Sequence, residues 1–452
     1  MSIALIVLAA GMGTRMNSDL PKVLHELAGA PLVVHAMKSG EALSPEKIVV
    51  VTGNGADAVE KAVTKWNPDA QVALQAEQNG TGHAVMQARA ALEGFTGDAI
   101  VLYGDTPFIQ PETLEKMLYA RRTHDVVVLG FEVPDTSVRY GRLVTTGDDL
   151  SAIVEFKDAT EAQRQITLCN SGVICADAGL LFSLLDDVTN DNAAGEYYLT
   201  DIVALARQRG MNATVVRCDE TETLGVNTRA ELARAEQMYQ ARARLAAMED
   251  GVTLHAPDTV IFAHDTVIGR DAIIEPQVVF GPGVTIETGA RIRAFSHLEG
   301  CHVSRGATVG PFARLRPGAE LAEDVHIGNF VEIKNATIDE GAKVNHLTYI
   351  GDAEIGKKTN IGAGTITCNY DGVFKHRTTI GANVFIGSNT MLVAPVKVGN
   401  FAMTATGTIV TRDVPSGDMA VGRAKQENKA GFADRFFEKL EAKKASQSKE
   451  SK

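Results

Sequence analysis

The stretch Leu8–Lys22, LAAGMGTRMNSDLPK, sets two cations seven residues apart around a glycine-rich turn. Gly11 and Gly13 let the backbone bend tightly and bring N–H groups close to a polyphosphate. Arg15 and Lys22 are placed to hold its charge. Two familiar phosphate loops do not fit: a dinucleotide fingerprint needs Gly or Ala where Met16 stands, and a Walker A loop needs a Gly-Lys-Ser/Thr that is absent. An ordinary strand-to-helix turn is the bland alternative, and Arg15 with the Pro21-Lys22 pair weighs against it. A second chemical cluster lies far downstream. ARLRPG supplies Arg316, FVEIKNA Lys334, VNHLTYIGD His346 and Tyr349, and TNIGAG Asn360. Two cations with a Tyr and an Asn suit a sugar phosphate. A lone His is more often structural, but His346 falls in register with the others, and its near-neutral pKa suits taking a proton from an ammonium nucleophile.

Two different kinds of element must position these clusters. From residue 1 to 227 the chain alternates apolar, β-branched runs (IALIVLAA, KIVVVTG, AIVLYGD, DVVVLGF) with helical segments. Runs apolar throughout are strands covered on both faces of a mostly parallel sheet, so an α/β, Rossmann-like domain is expected, with its ligand at the carboxyl ends of the strands. Residues 228–250 read as one helix: Thr228 and Glu231 form a capping box, and Leu232, Ala235, Tyr239, Ala243 and Ala246 make one stripe. About twenty residues at ~1.5 Å each make a rod of ~30 Å, a spacer between domains.

From 251 to 435 the beat is six. Ile268, Ile274, Phe280, Ile286, Ile292 and Leu298 keep it, as do Val309, Leu315, Leu321, Ile327 and Ile333, then Val344 and Ile350, and later Ile380, Ile386, Leu392 and Val398. Neither a helix nor a simple strand has period six; a triangular parallel β-helix does, with the apolar residue inside and a small one at the corner. Chirality alone would favour right-handed crossovers. The stretch ITCNYDGVFKHRTTI (366–380) breaks the beat. The Lys- and Ser-rich tail, 436–452, reads as solvated and disordered.

The bulk numbers narrow the partners. A net charge of −12 argues against nucleic acid and anionic membranes. No apolar run reaches the roughly 18 residues of a spanning helix. The opening SIALIVLAAG lacks a preceding Lys or Arg and runs at once into the glycine loop, so a buried first strand is the better reading than a signal segment. Cys169, Cys175, Cys218, Cys301 and Cys368 show no metal-ligand spacing and fit reduced thiols in the cytoplasm.

The G-x-G-T-R…P-K loop resembles the signature of sugar-phosphate nucleotidyltransferases, and QAEQNGTGHA and LYGDTP are similar to that family's base and metal segments. With the hexapeptide region behind it, the chain resembles bacterial bifunctional uridylyltransferase/acetyltransferases over nearly its whole length. The resemblance implies a left-handed β-helix, a homotrimer, and small-molecule substrates: UTP and N-acetylglucosamine 1-phosphate at one site, acetyl-CoA and glucosamine 1-phosphate at the other. It implies that Leu8, Ala9, Ala10, Gly11, Gln75, Gly80, Thr81, Tyr103 and Gly104 hold the nucleotide, that Gly141, Glu155 and Asn170 hold the sugar, and that Asp105 and Asn227 bind Mg²⁺, whose hard oxygen preference they satisfy. Arg15 and Lys22 would neutralise charge while the sugar's phosphate attacks the α-phosphorus of UTP.

At the second site the resemblance makes Arg316, Lys334, Tyr349 and Asn360 the acceptor contacts and His346 the base. Ala363, Asn369, Tyr370, Ser388, Thr406 and Arg423 would contact acetyl-CoA, with Ser388 donating to the thioester oxygen. Asn369 and Tyr370 lie on the interrupting stretch and would line a neighbouring subunit's site. Thr406 stands where a small alanine is expected, and Cys368 reads as a bystander. A nucleotidyltransferase whose β-helix is only a scaffold is the competing reading, against which the His346, Tyr349 and Asn369-Tyr370 set argues. A non-catalytic relative would be expected to lack Asp105 or Lys22.

Overall fold

The alternating apolar runs pair into a nine-stranded sheet. Its order is Gln71–Leu74, Lys47–Thr52, Ile3–Ala9, Asp98–Tyr103, Leu168–Asp177, Val126–Glu132, Ala213–Cys218, Asp149–Val154 and Arg142–Thr146. This is a computed structural model describing residues 2–147 and 149–450. The pairing is parallel except around Leu168–Asp177, antiparallel to both neighbours, and at the edge hairpin Arg142–Thr146/Asp149–Val154. The first strand lies between Lys47–Thr52 and Asp98–Tyr103. The strand order therefore reverses beside Ile3–Ala9, and the glycine loop leaves its carboxyl end at that switch point.

The hexapeptide beat folds as expected. Each short strand pairs in parallel with the strand one coil on: Ile274 with Ile292, Phe280 with Leu298, Val309 with Ile327, Ile333 with Ile350. One coil thus takes 17 or 18 residues, three hexapeptides. The residues that keep the beat from Ile274 to Val398 are buried, forming the prism's core. The interruption appears as Ile355 pairing with Ile380, 25 residues apart.

Two expectations are modified. The compact units are Met1–Glu249 with Ile261–Thr266, and Asp250–Val260 with Val267–Lys452. The helix Arg229–Glu249, expected as a spacer, groups with the first unit because its stripe has a floor there: Ala235, Leu232 and Tyr239 pack with Leu27, Leu32, Phe108 and Val226. The capping box is present, with the Glu231 N–H donating to Thr228 Oγ1 at 3.1 Å and the Thr228 N–H to Glu231 Oε2 at 2.9 Å. The tail, expected without structure, is a helix over Phe432–Glu450, exposed along 432–447. Its Glu, Lys, Leu and Ala are strong helix formers, and an apolar stripe of Phe432, Phe436 and Leu440 begins before the segment read as stripeless.

Candidate active sites

In the first unit, Gly13 turns at φ 60°, and a Cβ there would stand 2.6 Å from Lys22 Cβ. Only glycine lets the loop close onto Lys22. Lys22 Nζ then donates to Asp105 Oδ2 and, at 3.0 Å, to Asn227 Oδ1. Arg15 Nη2 donates to the same Asn227 oxygen at 2.9 Å. Asp105 comes from the end of Asp98–Tyr103, and its carbonyl accepts the Val226 N–H at 2.9 Å, tying the Asn227 loop to the strand. Glu231 Oε2 accepts from both Asn227 N (2.7 Å) and Thr228 N (2.9 Å), so the capping box also fixes Asn227. Two hard oxygens thus converge on one cationic group, a donor set that fits Mg²⁺ with phosphate and water as its remaining ligands.

Beside this knot is a cavity of about 280 Å³ whose wall includes Leu8, Ala10, Gly11, Gln75, Gly80, Thr81 and Tyr103. Ala9 and Gly104 are buried and lie outside that wall, with the Gly104 N–H donating to Leu8 O at 2.9 Å. Gln75 is buried and its amide donates to Gly80 O at 3.1 Å. Burial, then the nearby Glu155 and Asp105 charges, push the Tyr103 phenol well above its ordinary range, so it serves as a neutral hydrogen-bonding group. Gln78 and Glu196 also line the cavity; Gln78 Nε2 holds Ala10 O at 2.9 Å. Gln78 lies within the QAEQNGTGHA segment but is not singled out by it, and no motif marks Glu196.

The residues expected to hold the sugar assemble next door. The Asn170 N–H donates to Gly141 O at 2.9 Å, and the Glu155 carboxylate lies 3.5 Å from where a Gly141 Cβ would stand. Burial raises the Glu155 pKa, opposed by a Thr200 hydroxyl donating at 3.3 Å. Arg142, wholly buried, braces this corner by donating to the carbonyls of Thr136 (2.8 Å), Val138 (2.8 Å) and Tyr140 (2.6 Å). Its place after Gly141 in a strand was the only sequence signal.

In the second unit the prism presents a corner column. Asn329 pairs with His346, and His346 O accepts from Gly364 N (3.2 Å), Ala363 O from Asn389 N (2.7 Å), and Ser388 O from Gly407 N (2.8 Å). Thr406 O accepts Arg423 Nη1 at 2.8 Å. His346, Ala363, Ser388, Thr406 and Arg423 therefore stack along one edge. His346 is exposed, with Nδ1 3.1 Å from Asn329 Oδ1. On the adjoining face Arg316 bonds Glu332 at 2.8 Å, Tyr349 pairs with Glu332 in register, and Lys334 bonds Asp352 at 3.0 Å. Asn360 lies on the preceding face, paired with Lys343 and Phe385 across the corner from that set.

The interrupting stretch is a small hairpin, with Tyr370 bridging Lys375. Asp371 meets His376 Nε2 at 2.6 Å and accepts the N–H groups of Phe374 and Val373, contacts that in this order hold its carboxyl down to about 2. Tyr370 is exposed, whereas Asn369 turns inward and donates to Asp352. Burial raises the Cys368 thiol, which leaves it a poor nucleophile.

A phosphate-loop sheet followed by a hexapeptide prism with a polar corner defines a two-site transferase of the nucleotidyltransferase class. Residues 5–163 match the MobA-like NTP transferase domain family, and residues 265–300 match the bacterial transferase hexapeptide family (six repeats). Proteins named Bifunctional protein GlmU from Cereibacter sphaeroides, Dinoroseobacter shibae and Ruegeria pomeroyi are 66%, 68% and 67% identical to it. They cover 99%, 98% and 100% of this chain, and 99%, 99% and 100% of their own length. The chain belongs to the bifunctional GlmU family, and is an acetyltransferase and a uridylyltransferase.

Proposed function

We propose that the second unit acetylates glucosamine 1-phosphate and the first then joins the product to UTP, releasing pyrophosphate. The observation that carries this reading is the pair of separate clusters: Arg15, Lys22, Asp105 and Asn227 at the sheet's switch point, and His346 on the prism corner with Arg316, Lys334 and Tyr349 beside it. In the first site the acceptor's phosphate monoester is already anionic, so no base is needed. The residues position and neutralise: Arg15 and Lys22 take phosphate charge, Gln75, Gly80 and Tyr103 hold the base end, and Gly141, Glu155 and Asn170 hold the sugar. Mg²⁺ held by Asp105 and Asn227 would add charge neutralisation on the phosphates.

In the second site Arg316 and Lys334 hold the acceptor's phosphate. His346 takes a proton from the 2-ammonium, the freed amine attacks the thioester carbonyl, Ser388 donates to the oxygen as charge develops, and the CoA thiolate leaves. Tyr370 is exposed, its hydroxyl donating to Gly372 O within the hairpin, which leaves its ring face open to a neighbour's site.

A homotrimer fits a feature of the same column. Phe295, Phe312 and Phe330 occupy corners at φ 60°, 55° and 56° and stack at 4.9 Å and 5.3 Å between ring centroids, yet are about half exposed. Each non-glycine left-handed residue costs roughly 1–3 kcal/mol, and an exposed apolar ladder recovers little of that in a lone chain. Packing against other copies would. The described cysteines are free, which suits the reducing cytoplasm, and no described helix is long and apolar enough to cross a membrane.

The test mixes the protein with acetyl-CoA and glucosamine 1-phosphate, without UTP, and follows free thiol alongside His346→Ala. Thiol release abolished in the variant supports both site and base. Release that persists in the variant removes the base assignment. No release from the wild type, with pyrophosphate still formed from UTP and N-acetylglucosamine 1-phosphate, refutes the second site.

A further inference from the structure

One buried carboxylate in the second unit is left without a role by everything above. Asp352 is 6% exposed. Three side chains from two other coils converge on it: Lys334 Nζ at 3.0 and 3.2 Å from its two oxygens, Asn335 Nδ2 at 2.6 Å from Oδ1, and Asn369 Nδ2 on Oδ2. We propose that Asp352 is a positioning residue that couples the two substrate subsites of acetyl transfer, holding Lys334 for the acceptor's phosphate and Asn369 for the acetyl-CoA of the neighbouring subunit's site. The proposal rests on the reading of those two residues given above.

A purely structural carboxylate is poorly matched to this place. Asp352 sits at a left-handed corner, φ 49°. The prism's other aspartates at such corners, Asp271 and Asp324, are exposed to water, and it also uses Asn335, Asn383 and Asn389, neutral residues that tolerate the conformation equally well. Burying a charge there costs several kcal/mol unless it is fully bonded, so a scaffold gains nothing from aspartate over asparagine. A site does gain. The carboxylate fixes the long Lys334 side chain in one rotamer while leaving the ammonium a further N–H for a phosphate oxygen. It also fixes the Asn369 amide through Nδ2, leaving Oδ1 unspent. Any pull on Lys334 by one substrate is felt, through a shared acceptor, at the residue that meets the other. Burial pulls the Asp352 carboxyl upward, but bonds from Asn335, Lys334 and Asn369 outweigh it and hold it below the usual range. Lys334 is raised chiefly by its bond to Asp352. Both groups therefore stay charged through neutral pH.

The experiment uses the full-length chain and measures kcat and both KM values of acetyl transfer in wild type, Asp352→Asn, Asn369→Ala and the double variant. Uridylyl transfer in each preparation is the check that the chain has folded. Asp352→Asn should lower kcat/KM for glucosamine 1-phosphate and for acetyl-CoA at least about tenfold, chiefly through KM, and the double variant should lose less than the product of the singles. Asn369→Ala should raise KM for glucosamine 1-phosphate, which a residue serving only acetyl-CoA would not do. That variant leaves the carboxylate in place and decides the matter if Asp352→Asn does not fold. An unchanged glucosamine 1-phosphate KM in Asn369→Ala, or Asp352→Asn within twofold of wild type, overturns the coupling. A wild type that releases no thiol overturns the acetyl-transfer reading itself.

Discussion

Gly80→Ala is the most direct perturbation of the proposed uridylyl site. Gly80 has φ 105° and ψ 176°, a region essentially reserved for glycine and costing other residues roughly 1–3 kcal/mol. An added Cβ would also stand 2.6 Å from Tyr197 O and 2.9 Å from Glu196 Cβ, so backbone must give way. That Tyr197 carbonyl accepts the Gly82 N–H at 2.8 Å, and Gly80's own carbonyl holds the Gln75 amide at 3.1 Å. Strain at one Cβ thus reaches several walls of the nucleotide cavity. If it is relieved by displacing the loop, ~1–3 kcal/mol converts to roughly a 5- to 150-fold loss of kcat/KM for UTP. The assay is the initial rate of pyrophosphate release against UTP, with acetyl transfer by the same preparation as the folding control and thermal midpoints taken without nucleotide. Gly11→Ala is the comparison: no atom lies within 4 Å of its Cβ position. That variant should keep the wild-type midpoint and raise only KM for UTP, whereas Gly80→Ala should lower the midpoint as well. A Gly80→Ala enzyme with kcat/KM for UTP within twofold of wild type would refute the chain of reasoning from backbone to cavity.

Chelation by EDTA should abolish pyrophosphate release and leave thiol release intact, since the oxygens of Asp105 and Asn227 belong to the first site alone; equal loss of both activities counts against that assignment. Burial, chiefly, lowers the His35 pKa from 6.5 to about 4. The unfolded chain therefore takes a proton near pH 6.5 while the folded one resists until about 4. Stability present above 6.5 falls across that window by about 3 kcal/mol, so the drop in unfolding free energy from pH 7 to 4.5, read from urea titrations, should be larger in wild type than in His35→Gln by that order. Phe312→Asp places a charge in the middle of the aromatic ladder and should shift the sedimenting species from the proposed trimer to smaller forms, with acetyl transfer lost and uridylyl transfer kept. An unshifted trimer would remove the ladder from the interface.

What the sequence disclosed follows from how local each signal is. The period of six was legible because every coil repeats the same demand, an apolar residue inward and a small one at the turn, and that demand recurs whatever lies around it. Lys22 was legible because the loop that closes on it is contiguous with it, seven residues from Arg15. Asp105 and Asn227 needed the family resemblance, since nothing local tells a strand-end Asp or a helix-cap Asn from its ordinary versions. Asp352 was invisible for a stronger reason. Its three donors sit 17 or 18 residues away on either side, a spacing that becomes contact only once the prism exists, and one of them lies on a hairpin that changes the local count from 18 to 25. The tail was misread because propensity was judged from the Lys- and Ser-rich end, while the stripe that gives the helix its amphipathic face begins at Phe432. The same logic accounts for where this fold puts chemistry. A strict repeat can present only what every coil presents, so the side chains of the proposed acetyl-transfer site collect at a corner and the face beside it, where position matters and the core residue does not. Anything longer must leave the repeat, as the Asn369–His376 hairpin does, and must then be tied back by a group inside it, the place Asp352 occupies.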